Sequence, residues 1–200
     1  MIFSNLTEIA NICEIYNARK SDYNSFKQGH HFFDAHRRRA TQRKGDAMAY
    51  WWVSQGKYFQ NEMMGSYLWA PKMSDSGKKI HHWESIYKLR ADDIVFSYVD
   101  QAIVAVSKVI RRAYDAKKPF PVTEKDHHRS GYKCDLKYYP LKTPLKIYKI
   151  RNDLQSILEK QTKNKPINKN GQGNQGYIYP LIDEAGDFIM KTIGYELIDL

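Results

Sequence analysis

The stretch 92-DDIVFSYVDQAIVAVSKVI-110 constrains the fold more than any other part of the chain. Ile94, Phe96 and Tyr98 alternate with Val95, Ser97 and Val99, the two-residue period of a strand whose faces meet different surroundings. Asp100-Gln101 interrupts the run and 102-AIVAVSKVI-110 resumes it. Two β-prone runs parted by two polar residues predict a hairpin, here in the middle of a sheet. Further strands are expected at 48-MAYWWVS-54, 132-YKCDLKYYPL-141 and 144-PLKIYKI-150, with Pro140 and Pro144 restricting the connection between the last two.

Helices are expected on either side of a polar, glycine-bearing stretch, 164-NKPINKNGQGNQGYIYP-180, that reads as irregular. In 152–163 the apolar stripe is Leu154, Ile157 and Leu158; in 183–193 it is Phe188, Ile189 and Ile193, with Asp183 as a cap. Near the start, 4-SNLTEIANICEIYNA-18 has helical spacing, and Asn5 with Glu8 resembles a capping box. Residues 19–46 are polar and end in 36-HRRRATQRK-44, either a solvated face or an arm that touches nucleic acid. The chain therefore divides into an N-terminal helical and basic extension, 1–46, and a mixed α+β domain, 47–200. That domain is expected to be built on a curved or barrel-like, mainly antiparallel sheet with flanking helices.

A 42% hydrophobic content suffices for a packed core, so global disorder is excluded. The net charge of +10 points to a polyanionic partner, and the 15 Tyr and 4 Trp supply the flat faces on which bases stack. Cys13 and Cys134 are the only cysteines, which excludes a disulfide framework and paired zinc-binding cysteines. No signal-peptide pattern and no membrane-length apolar run is present, so a cytoplasmic protein with no membrane partner is expected.

Signals for catalysis are weak. The pairs His30-His31, His81-His82 and His127-His128 place adjacent side chains in diverging directions, a poor arrangement for one metal. No phosphate-binding loop, metalloprotease motif or serine-nucleophile motif occurs. Asp126, His127 and His128 are the one cluster that could serve metal-dependent hydrolysis, which keeps a nuclease open as an alternative. Otherwise no catalytic residue, metal or cofactor is expected.

Signals for binding are stronger. A single tryptophan is more often core than ligand wall, but Trp69 stands among Gly65, Pro71 and Gly77, with Lys72, Lys78 and Lys79 close behind. The segment 111-RRAYDAKKPFPVTEKDHHRSGYK-133 is also basic with interleaved aromatics. Arg111, Arg112, Arg129 and Lys133 therefore join those three lysines as candidate phosphate contacts.

The ordered set YWWVSQGKYFQNE, GSYLWAP, GKKIHHWESI, LRADDIVFSYVDQAIVAVSKV, AYDAKKPFP and GNQGYIYPL resembles the EVE domains of the PUA-like superfamily. Within that superfamily it is most similar to the EVE-type domains of methylation-dependent, Mcr-type restriction systems. The resemblance covers residues 47–193. It implies a non-catalytic reader of modified DNA, working beside a GTPase or nuclease domain or subunit. The related YTH domains, which read N6-methyladenine in RNA, keep a modified-RNA reader as an alternative. By resemblance, Trp69 is one wall of an aromatic cage, Tyr132 its opposite wall, and Ser54 and Gln55 polar contacts to the base. Trp52 and Tyr98 are further pocket candidates, and Trp83 is either pocket or core. Such a pocket would accept a flipped base: methylated or hydroxymethylated cytosine, or N6-methyladenine.

Overall fold

The computed structural model describes residues 48–74, 77–119 and 130–194, all within the unit Arg43–Leu200. The helix expected at 4–18, the 19–46 arm, Asp126, His127, His128 and Arg129 lie outside the described residues.

The elements in chain order are β1 (Tyr50–Ser54), α1 (Phe59–Gly65), β2 (Tyr67–Pro71), α2 (His81–Glu84), β3 (Ile94–Val99), β4 (Ala102–Lys117), β5 (Ser130–Lys146), α3 (Arg151–Leu158), β6 (Ile178–Leu181) and α4 (Asp183–Ile193). Short 3-10 turns lie at Ser85–Lys88 and Ile147–Lys149. One six-stranded sheet runs in the order β2-β5-β4-β3-β1-β6. Only β1 and β3 pair in parallel, so the sheet is mainly antiparallel as expected, in an α+β domain.

The central hairpin forms where the sequence places it. Val99 faces Ala102, and Asp100 and Gln101 both take positive φ, 46° and 62°. A two-residue turn with both residues left-handed matches the twist of the flanking strands. The hairpin partner is longer than the sequence suggested, because β4 continues to Lys117 against β5. The two strands expected at 132–141 and 144–150 are one, Ser130–Lys146, and 147–149 is a 3-10 turn. Leu145 faces Ile103 and Pro140 faces Ala105, so residues 141–144 of β5 oppose Val104 alone. Pro144 thus falls inside a bulge, where no ladder donor is needed. Bulges bend a strand and increase its twist, and three register shifts along β4 curl the sheet.

One face of the sheet carries a core, with Trp51, Val53, Leu68, Ala70, Val95, Val109, Cys134 and Leu136 packed on Ile86 and Leu89. On the opposite face Tyr50 lies under α4 and donates its hydroxyl to Asp187 Oδ1 at 2.8 Å. Helix α3 stops at Leu158, short of the expected 163, and buries Leu154 and Leu158. Asp183 opens α4 rather than capping it; the cap position is Ile182, with no side-chain cap bond. The end of the stretch expected to be irregular is recruited as β6 against β1. No helix among the described residues is long and apolar enough to cross a membrane.

Candidate nucleic-acid interface

The two edges of the sheet are β2 and β6. An edge strand leaves backbone N–H groups that a ladder does not satisfy, and at β2 the Trp69 N–H donates to Glu62 Oε1 of α1 at 3.1 Å. The same oxygen accepts the Tyr177 hydroxyl, from just before β6, at 2.6 Å. Glu62 Oε2 accepts Gln55 Nε2, from just after β1, at 2.6 Å. One carboxyl group therefore joins one edge of the sheet to the other. The Tyr138 hydroxyl completes the cluster, donating to Tyr67 O at 3.0 Å and lying 3.3 Å from Gln55 Nε2.

Glu62 is 2% exposed. Burial pushes its carboxyl up to about 7, against the hydrogen bonds from Tyr177, Gln55 and Trp69 that pull it down. Burial likewise holds the Tyr138 and Tyr177 hydroxyls well above the usual tyrosine value and pushes Tyr67 to about 12.

The other face of β2 presents Tyr67 and Trp69, with Tyr58 and Ala116 packed against them. Gly131 lies beneath the indole, where a Cβ would stand 2.3 Å from Trp69 Cε2, so only glycine admits the ring there. Trp69 is 6% exposed. Cations surround this cluster. Lys57 Nζ lies 4.9 Å and Lys118 Nζ 5.4 Å from the Tyr58 ring centre, and Lys133 Nζ lies 5.0 Å from that of Tyr67. At these distances a cation is held over the ring face.

The register corrects the expected cage. Tyr132 faces Ala70, and Trp69 faces Lys133. Successive side chains on a strand alternate between faces, so Tyr132 packs with the core around Leu68 and Ala70 and Trp69 lies on the opposite side. Tyr132 meets Tyr87 instead, with ring centres 4.2 Å apart, and cannot be the opposing wall. Trp52 is a second correction: it is 0% exposed and packs on Tyr98 at 4.8 Å, leaving no ring face for a ligand. Tyr98 is buried too, with Gly173 of the polar stretch lying against its ring.

The structure brings the strand-end residues together. Gln55 N–H donates to Tyr98 O at 2.9 Å, and Ser54 N–H to Tyr177 O at 2.8 Å. Trp83, half-buried, packs against the core around Trp51 and Leu68. Among the phosphate candidates, Lys72 is ion-paired to Asp115 at 2.6 Å, Lys79 to Glu84 at 3.5 Å and Lys133 to Asp135 at 3.4 Å. Arg111 lies over the Tyr114 ring at 4.3 Å, and Lys78 and Arg112 are exposed. No group of His, Cys, Asp and Glu among the described residues could hold a metal ion.

Sequence reasoning missed Tyr58, Glu62 and Tyr177. The first two sit in 58-YFQNEMMG-65, which has no strand alternation and is one turn too short for a helical stripe to show. Tyr177 lies within the stretch read as irregular.

No protein-family model matches the chain, and no curated protein matches it. Among solved structures it is similar to a hypothetical protein from Leishmania major, with 12% identity, 76% of this chain and 97% of that chain covered, and a TM-score of 0.48. It is similar to human THYN1 protein in complex with 5-methylcytosine-containing DNA, with 11% identity, 73% and 98% covered, and a TM-score of 0.47. The N-terminal domain of Staphylothermus marinus McrB is a third, with 12% identity, 70% and 92% covered, and a TM-score of 0.40. These are likenesses of fold.

Proposed function

We propose that the chain is a non-catalytic module that binds DNA and captures a flipped, modified base at the junction of β1, α1 and β2. The observation that carries this reading is the aromatic cluster Tyr58, Tyr67 and Trp69 with Lys57, Lys118 and Lys133 held over its rings. Flat faces take a base, while fixed cations beside them take the flanking phosphates. Tyr58 replaces Tyr132 as the aromatic partner of Trp69, and a base enters by displacing Tyr58, which is only half-buried.

Flipping costs a few kcal/mol, and stacking returns about 1–3 kcal/mol per base. In this reading cleavage of the marked DNA falls to a GTPase or nuclease partner of a restriction system, as the resemblance to Mcr-type domains implies. THYN1, similar in fold, was solved with 5-methylcytosine DNA, which makes that base the first probe. Duplexes with and without 5-methylcytosine, 5-hydroxymethylcytosine or N6-methyladenine are titrated against wild type and Trp69→Ala. The expected result is tighter binding of one modified duplex and loss of that preference in the variant. Equal affinity for all duplexes, unchanged by the substitution, overturns the reading.

A further inference from the structure

We infer that β4 and β5 carry a phosphate track, made by Lys133, Arg111 and Lys137, which holds the backbone of the DNA strand running away from the captured base. The inference rests on the base-capture reading above only for the identity of the polyanion. Three successive rungs on one face of the sheet make the track. Lys133 stands between Trp69 of β2 and Tyr114 of β4, Asp135 between Tyr67 and Arg111, and Lys137 opposite Lys108. Residues directly opposed across strands share a face, so these rungs continue the surface that carries the Trp69 cluster.

Side chains on one face recur every second residue, about 6.6 Å along a strand, so the three rungs span about 13 Å. One strand of a duplex carries a phosphate about every 3.4 Å of rise, which sets about four phosphates alongside. Each rung brings a cation, and Asp135 is the one carboxylate among these opposed residues. Lys108, the second cation of the last rung, is ion-paired to Asp92 and its side chain is only 13% exposed, so it stands outside the track. A regular row of positive charge fits a regularly charged polymer, and the row begins where the base is held.

Rings hold these cations in place. Arg111 lies over Tyr114 at 4.3 Å and Lys137 over Tyr139 at 5.4 Å, while Lys133 lies 5.9 Å from the Tyr114 ring centre. Tyr114 is fixed in turn, because its hydroxyl donates to Asp135 Oδ1 at 2.9 Å and the same oxygen pairs with Lys133 at 3.4 Å. Arg111 and Lys137 are exposed. A guanidinium stacked on a ring keeps its planar fork of N–H donors for a phosphate. Long side chains lose rotamer freedom on binding, and those already held over rings lose less of it. Tyr114 is therefore a positioning residue that readies Arg111 and Lys133 together.

The test compares wild type with Arg111→Gln, Arg111→Lys and, as a control for net charge alone, Lys163→Gln at an exposed position after α3. Matched duplexes with and without 5-methylcytosine are titrated from about 50 to about 200 mM salt. Arg111→Gln is expected to weaken both duplexes severalfold and by the same factor. It should also lower the slope of log affinity against log salt by about 0.9, the share of one phosphate contact. Arg111→Lys keeps the charge but loses the stacked fork, so affinity should fall severalfold with the slope unchanged. Lys163→Gln should leave the slope at its wild-type value. A slope that Arg111→Gln does not lower, or that Lys163→Gln lowers as much, overturns the inference. Wild-type affinity in Arg111→Lys overturns the part given to Tyr114. Loss of the modified-base preference in Arg111→Gln sets Arg111 at the base and overturns the track, as does tighter binding of a matched RNA duplex than of DNA. Equal affinity of wild type for the two DNA duplexes removes the base-capture reading alone, because the slope still decides the track.

Discussion

The Tyr177 hydroxyl donates to Glu62 Oε1 across 115 positions of sequence at 2.6 Å, tying helix α1 to the segment entering β6. Tyr177→Phe removes that donor and leaves a buried carboxyl with less compensation. The expected cost is about 1–3 kcal/mol, measured by urea unfolding. Losing a bond that favours the charged form also raises the Glu62 value above about 7, which a pH series on the variant detects.

Stability should fall as pH rises toward neutrality. The Glu62 carboxyl stands at about 7 in the folded chain against an ordinary 4.5. Between those values the folded state holds a proton that the unfolded state has released. Its contribution is therefore complete below about 4.5 and lost as pH climbs to about 7. Burial raises Asp93 as well and adds in the same direction. The difference between wild type and Glu62→Gln in thermal melts at pH 5 and pH 8 isolates Glu62, and the variant should show the smaller decline.

Gly131→Ala places a methyl group against the Trp69 indole, 2.3 Å from Cε2 and 2.4 Å from Cζ2. The ring has to shift, at a cost of about 1–3 kcal/mol for overpacking. A changed tryptophan emission spectrum, with weaker binding to the preferred modified duplex, is the expected pair of results.

Lys72 is tied to Asp115, which also accepts from the Tyr87 hydroxyl at 3.1 Å. Asp115→Asn removes a negative charge and releases Lys72 toward the polyanion. Binding to any duplex should tighten severalfold at low salt and converge on wild type at high salt, because the gain is electrostatic. The melting temperature should remain near wild type, since exposed ion pairs contribute little.

The opposed faces of Trp69 and Tyr132 predict independence. In a double-mutant cycle with alanine, their effects on duplex binding should add to within about 0.5 kcal/mol, as for sites that share no partner. Trp69 with Tyr58, which pack together, should deviate from additivity.

The sequence by itself determined the hairpin at 94–110, the mainly antiparallel sheet and helix α4, because alternation and helical spacing are local signals that survive in one dimension. It marked Trp69 as a candidate from the glycines, proline and lysines around it, whereas the cations that lie over the cluster's rings are Lys57, Lys118 and Lys133. Which aromatic stands beside Trp69 depended on the register of β2 against β5, and a shift of one residue reverses the face of every side chain. That register is set by tertiary packing, so Tyr58 took the place expected for Tyr132. The same holds for Glu62: nothing in 59-FQNEMMG-65 marks it as a node. Only the curl of the sheet brings its two edges close enough for a single carboxyl to join Trp69, Gln55 and Tyr177.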